Sequence, residues 1–338
     1  MSDKIQGFTW TGADENLITY NAIYGDVLVE LGRKDPRIVA LTADLGNSTR
    51  IGRFKEAFPE RFFNVGIAEQ NMIAVAAGLA ATGLIPVVSS YATFAILRAA
   101  EFVRTDLAYN RRNVKIIGEL AGVSFGQGGP THHAIEDVAF MRAVPGMVVI
   151  APCDGFETAR ALEAALAWEG PVYLRIGRSM EPLVHKARDL DFEIGRAAEL
   201  RQGSDVTVIA CGVAVYHALS AAERAAHQGL SVRVLNMHTL KPLDVEAVRR
   251  AINDTRRIVT AEDHSVIGGL GSAVAEVIAD SGRACALRRL GHQDRFSPMG
   301  VPEDLVHLAG FDDDGILAAI AALARVPVDE DEDWEDDP

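Results

Sequence analysis

Short, uninterrupted apolar runs alternate with segments of helical periodicity along most of this chain. RIVALTAD, LIPVVSS, VKIIGEL, MVVIAP and PVYLRIG are runs of this kind, and between them apolar residues recur at three- and four-residue spacing, as in Leu17, Tyr20, Ile23, Tyr24, Val27 and Leu31. A strand with one wet face would alternate apolar and polar residues. A continuous run marks a strand buried on both faces, and such strands alternating with helices form a parallel sheet covered by helices on each side. Helices are expected over 16–31, 68–82, 93–109, 135–143 and 156–168. The pattern pauses in a polar stretch, SMEPLVHKARDLDFEIGRAAELRQGS, and resumes with DVTVIAC, SVRVLNM, RRIVTAE and CALRRLG. The expectation is therefore two consecutive α/β domains. A parallel-sheet domain spans 15–178, a linker 179–204, a smaller α/β domain 205–325 and an acidic tail 326–338.

A length of 338 residues with 49% hydrophobic and 24% charged residues suits two globular domains, each with its own core. No apolar run approaches the roughly 18 residues of a membrane span, and the opening MSDKIQGFTW lacks the basic and apolar regions of a signal peptide, so a cytoplasmic protein is expected. Cys153, Cys211 and Cys285 are far apart and odd in number, which suggests neither a disulfide framework nor a zinc site. The net charge of −14 includes eight acids between Asp329 and Asp337, leaving about −6 for the body. That balance excludes nucleic acid as a partner.

Three segments carry candidate chemistry, each where a strand gives way to a loop, which is where open α/β sheets place reactive groups. In NVGIAEQNMIAVAAGLA, Glu69 enters the first turn of an Ala- and Gly-rich helix. It is either an acid favoured by the helix dipole or a carboxyl desolvated between apolar surfaces for sharing a proton. In GVSFGQGGPTHHAIED, four glycines and a proline precede His132 and His133; such a loop allows close backbone approach to a ligand, and an imidazole after it can donate to a developing alkoxide. Adjacent histidines rarely ligate one ion, and no third ligand is suitably spaced. In YLRIGRSMEP, Arg175 and Arg178 are either salt-bridging residues or readers of a phosphate or carboxylate. IGGLGSAVAE is a poor dinucleotide loop, because counting from Gly269 the third glycine position is Val274.

Taken together and in this order, VGIAEQNM, GGPTHHAIED, AVPGMVVIAPCDGFE and AEDHSVIGGLGSAVAE resemble the transketolase family, which includes 1-deoxyxylulose-5-phosphate synthase, over roughly 15–325. The resemblance implies a pyrimidine-binding domain followed by the family's C-terminal domain. It implies that Glu69 shares a proton with the pyrimidine ring nitrogen of thiamine diphosphate, favouring the imino tautomer whose exocyclic nitrogen removes the thiazolium proton. Asp44 corresponds to a cofactor-side aspartate, Phe94 to an aromatic packed on the pyrimidine and Ser48 to a substrate-binding serine. His132 corresponds to the histidine that contacts the donor oxygen near the cleaved bond, and Arg178 to an arginine that grips a substrate phosphate.

The sequence also departs from the family pattern. Gly128 stands where an acidic residue usually reads a donor hydroxyl, and Leu120 where a phosphate-side histidine usually stands. The GDG signature with its downstream Asn, which holds Mg2+ and the diphosphate, is absent. The resemblance therefore implies the C-terminal subunit of a split transketolase, active with an N-terminal partner that carries those ligands, in an α2β2 heterotetramer acting on sugars or sugar phosphates. Two rivals differ in outcome: a carboligase or 2-oxoacid dehydrogenase beta subunit acting on pyruvate would release carbon dioxide, and a silent partner subunit would catalyse nothing.

Overall fold

The computed structural model describes residues 17–178, 180–186 and 190–326; the acidic tail lies outside them. In chain order the first part contains β1 (Leu17–Thr19), α1 (Tyr20–Lys34), β2 (Ile38–Thr42), α2 (Gly52–Ala57), β3 (Phe62–Asn64), α3 (Glu69–Ala81) and β4 (Ile85–Tyr91). There follow α4 (Ala100–Phe102), β5 (Lys115–Glu119), α5 (Asp137–Ala143), β6 (Val148–Ile150), α6 (Gly155–Ala167), β7 (Val172–Arg175) and β8 (Met180–Pro182). The second part contains β9 (Ala198–Arg201), β10 (Val206–Ala210), α7 (Ala214–Ala226), β11 (Val232–Asn236), β12 (Thr239–Lys241) and α8 (Val245–Asp254). It ends with β13 (Arg257–Ser265), α9 (Leu270–Ser281), β14 (Ala286–His292), α10 (Pro302–Ala309) and α11 (Asp313–Leu323).

The first sheet has the order β12-β6-β7-β5-β4-β2-β3, and every pair in it is parallel except β12 with β6. The strands written as continuous apolar runs are the ones buried end to end, β2, β5 and β7 among them. One face of this sheet packs Val87, Ile117, Val148 and Leu174 against α1 and α6. The other face buries Leu41, Val88, Ile116 and Val149 in a core that also takes in Met72, Ile209, Leu235 and Ile258, so hydrophobic packing runs without a break from the first sheet into the second. The second sheet has the order β14-β13-β10-β11-β9, parallel except for β9.

Several elements differ from the sequence expectation. Leu17–Thr19, expected as the start of a helix over 16–31, forms β1, which pairs antiparallel with β8 inside the stretch read as a linker. The stretch read as a linker contains β9, an edge strand whose half-exposed residues carry no apolar run to announce it. The second part also lends β12 to the edge of the first sheet, where Thr239 opposes Ile150. Finally, 93–109 is not one α-helix: Phe94–Arg98 and Val103–Tyr109 are π-helical, separated by the single turn of α4. The wider winding is common beside functional sites, and here it begins at Phe94, three residues after Tyr91 ends β4.

Candidate active site

The loops at the carboxyl ends of β4 and β5 and the start of α3 bring two groups of side chains together. Glu69 opens α3 with no capping side chain before it, and its carboxyl is buried at 2% exposure. Arg98 covers it: Nη1 donates to both carboxylate oxygens, at 3.0 and 3.2 Å, while the guanidinium carbon lies 3.9 Å from the centre of the Phe94 ring. The setting of Glu69 is thus ionic where the apolar helix sequence suggested a hydrophobic one. Arg98 was missed because its importance depends on the π-helical winding, which no spacing rule in the sequence reports.

His132 is the second focus. Its ring centre lies 5.3 Å from that of Phe94, 5.7 Å from Phe125 and 6.1 Å from Tyr91, a half-open aromatic cage with edge-on contacts to Phe94 and Phe125. Thr131 Oγ1 sits 2.9 Å from its Nδ1, which leaves Nε2 for a ligand. The two adjacent histidines therefore separate cleanly. His133 is buried with its Nε2 3.3 Å from the Gly126 carbonyl, and burial lowers its pKa despite that hydrogen bond, so it is a neutral structural group. Tyr91 and Phe125 were not among the residues expected at the site, although Phe125 lies within GVSFGQGGPTHHAIED and Tyr91 three residues before Phe94.

The two arginines of YLRIGRSMEP also part company. Arg175 is buried, donating from Nε to Asp137 at 2.8 Å and from Nη2 to the carbonyls of Ala134 and Asp263, each at 2.8 Å. Burial opposes its charge, but Asp137 and Asp263 outweigh burial and raise its pKa. It cross-links the two sheets and is no reader of substrate. Arg178 is exposed, with its guanidinium carbon 4.5 Å from the centre of the Phe125 ring and its backbone N–H on Ser124 Oγ at 3.3 Å.

Asp44 and Ser48 sit on the loop after β2. Asp44 adopts a positive φ of 63°, held by an exchange with Asn64: its N–H donates to Asn64 Oδ1 at 3.0 Å and its Oδ1 accepts from Asn64 Nδ2 at 2.9 Å. Asn64 Oδ1 also accepts the Gly66 N–H, which ties this loop to the segment leading into Glu69. Ser48 faces its own loop, its hydroxyl 3.5 Å from the Leu45 carbonyl.

The second domain backs the His132 loop. Asp263 accepts the Val123 N–H at 3.2 and 3.1 Å and lies 2.9 Å from His292 Nε2, whose Nδ1 is 3.0 Å from Ser297 Oγ. Burial disfavours the Asp263 charge, but His292, Arg175 and the Val123 N–H lower its pKa overall. Gly122 has φ of 59° and a Cβ there would fall 1.9 Å from Asp263 Oδ2, so this position accepts only glycine. At the start of α9, Glu262 accepts the N–H groups of Leu270 and Gly271 at 2.6 and 2.8 Å, so a carboxylate of the chain itself fills the place a nucleotide phosphate would need.

Comparison with known proteins decides the family. Residues 16–182 match the model of the transketolase pyrimidine-binding domain, and 195–316 that of the transketolase C-terminal domain. A 6-deoxy-6-sulfo-D-fructose transketolase subunit from Clostridium sp. is 45% identical over 282 residues, spanning 83% of this chain and 87% of that one. The chain belongs to the transketolase family. Another transketolase relative, an apulose-4-phosphate transketolase subunit from Phocaeicola vulgatus, is 39% identical over 301 residues, 89% of this chain and 96% of that one. Among solved structures, a split-gene transketolase described as an inactive beta4 tetramer superposes with a TM-score of 0.84 at 44% identity, covering 91% of this chain and 98% of its own. The transketolase match spans both sheets, and the loops described above lie within it.

Proposed function

We propose that this chain is the pyrimidine-side subunit of a thiamine-diphosphate-dependent transketolase, which moves a two-carbon ketol unit from a ketose to an aldose once joined to a partner chain that carries the diphosphate and Mg2+ ligands. The observation that carries this reading is the lodging of the Arg98 guanidinium. A flat group bearing N–H donors lies on the Phe94 ring and donates to the buried Glu69 carboxylate. An aminopyrimidine needs the same two contacts, so the residues present fit the cofactor that the family uses.

When bound, thiamine diphosphate supplies a nucleophilic thiazolium carbon. Glu69 holds and returns the proton at the pyrimidine ring nitrogen, and Phe94 orients that ring. His132, with Nε2 free in its aromatic cage, donates to the substrate oxygen beside the bond that breaks. Asp44, fixed by Asn64, serves the cofactor side, and Ser48 and Arg178 serve the substrate. Two relatives are named for sugars bearing a phosphate and a sulfo group, which suits an exposed arginine at this position.

Exposed apolar side chains on the segments around Glu69 and Arg98, namely Phe63, Ile67 at 78% exposure and Leu97, support burial against a partner, and we place the active assembly at α2β2. No helix among the described residues is long and apolar enough to cross a membrane. Three free cysteines suit the reducing cytoplasm.

The test is Glu69→Gln in the two-chain complex. An amide can hydrogen-bond to the ring nitrogen but cannot exchange its proton, so turnover should fall about a hundredfold or more with every donor alike, in the range of a general acid-base group. Hydrogen–deuterium exchange at the thiazolium carbon should fall with it. Exchange at the wild-type rate would remove Glu69 from this role.

A further inference from the structure

Phe125 occupies an unusual place for an aromatic residue. It lies in a glycine-rich loop, half-buried, and takes part in none of the hydrophobic cores of the described residues. Its ring faces three site residues: the edge-on His132 ring at 5.7 Å, the Tyr91 ring at 6.4 Å and the Arg178 guanidinium at 4.5 Å.

Two consequences follow from that position. A guanidinium lying over an aromatic ring is attracted by the ring's negative face and keeps its N–H groups available for a bidentate partner. Among the described residues Arg178 is in no ion pair, so its N–H groups are available to a ligand. The ring also fills the space beside Gly128: a Cβ there would meet two Phe125 ring carbons at 2.6 and 2.8 Å and the His132 Cβ at 2.9 Å. A side chain at position 128 would therefore require both the Phe125 ring and the His132 Cβ to move.

We propose that Phe125 is a specificity-determining residue: by carrying the Arg178 cation and excluding a polar reader at position 128, it makes the site select a sugar whose far end bears a tetrahedral oxyanion, a phosphate or a sulfonate, over the same sugar ending in a hydroxyl. This rests on the reading of the chain as a transketolase subunit. Recognition is thereby shifted from the hydroxyls along the chain to the charge at its end.

The experiment uses the chain assembled with its partner subunit and compares ketoses ending in phosphate, sulfonate and hydroxyl. Phe125→Leu should raise KM for the charged ketoses by about threefold to thirtyfold, the range of a lost cation–π contact, with a smaller change in kcat. The ketose ending in hydroxyl should suffer at least about threefold less, and Phe125→Tyr, which keeps the ring, should restore KM. Phe125→Leu added to Arg178→Ala should cost little beyond Arg178→Ala alone, because the ring acts through the arginine. The phosphate and sulfonate arms show which oxyanion fits better. A penalty that is equal on charged and uncharged ketoses, or that falls on kcat alone, overturns the proposal. Hydrogen–deuterium exchange at the thiazolium carbon of the wild-type complex keeps the two readings apart: its absence overturns the transketolase reading and this one with it, whereas normal exchange with an equal penalty overturns only the role of Phe125.

Discussion

At the scale of single residues, neighbours identical in type have opposite fates here because each is assigned by what surrounds it. His133 and Arg175 are buried and hydrogen-bond to backbone carbonyls, whereas His132 and Arg178 lean on aromatic rings at the site. No local rule distinguishes the members of such pairs, since the segments HH and RIGR read alike for either role. Glu69 stood out as a candidate in the sequence because it opens a helix shortly after a strand; its Arg98 partner did not. Arg178→Ala should raise KM for a phosphorylated substrate by about tenfold or more, through loss of a charge-assisted contact of about 1.5–3 kcal/mol, as steady-state kinetics with the assembled enzyme would show. Unchanged constants for every substrate would make the side chain structural.

At the scale of elements, Asp154 is the clearest case of one side chain organising several segments. As N-cap of α6 it accepts the Glu157 N–H at 2.8 Å with one oxygen, and with the other it accepts the N–H groups of Val184 and His185 at 3.0 and 2.7 Å. His185 Nδ1 lies 3.1 Å from that second oxygen. Cys153, Asp154 and His185 lie close enough together to suggest a metal site, but the carboxylate is already engaged by these donors, and the cluster fastens the chain after β8 to α6. Asp154→Ala should cost roughly 2–4 kcal/mol, the sum of a lost cap and of buried N–H groups left unpaired, read as a lower urea midpoint. Burial works against the charge on His185, but the hydrogen bond and charge of Asp154 overcome it and raise the imidazole pKa above 6.5. A raised pKa in the folded state means a stabilising contribution that is full below pH 6.5 and lost as pH rises through the higher folded value. Unfolding midpoints measured across that window should show the decline in the wild type and lose it in His185→Ala.

At the scale of the whole molecule, the two sheets do not behave as beads on a string. One hydrophobic core runs through both, β12 crosses from the second domain to the edge of the first sheet, and Asp263 reaches from β13 to the backbone of the His132 loop. The C-terminal domain thus holds the His132 loop in place. In the function proposed above, the Glu69, Phe94 and His132 group supplies the pyrimidine side of the cofactor site and the partner supplies the rest. The purified chain alone should therefore bind thiamine diphosphate weakly and turn over nothing, and calorimetry in the presence of Mg2+ should show tight binding only after the partner subunit is added. Tight Mg2+-dependent binding by the lone chain would contradict this division of labour.

The order of strands and helices was readable in the sequence because a buried parallel sheet demands continuous apolar runs, and the runs at 38–42, 85–91, 115–119 and 206–210 became buried strands. The motif loops were readable because glycine, histidine and a helix-opening glutamate are costly or reactive where they stand. Tertiary structure decided what depends on distance across the fold. It placed Arg98 against Glu69, Phe125 beneath Arg178 and Asp263 behind the His132 loop, partners separated by 29, 53 and 140 residues in the case of Glu69, Arg178 and Val123 respectively. It also recruited β9 and β12, edge strands too short to carry a periodic signal of their own. Sequence pattern reports what each residue requires of its immediate neighbours and of solvent; which distant side chain meets that requirement is settled only when the sheets twist and pack.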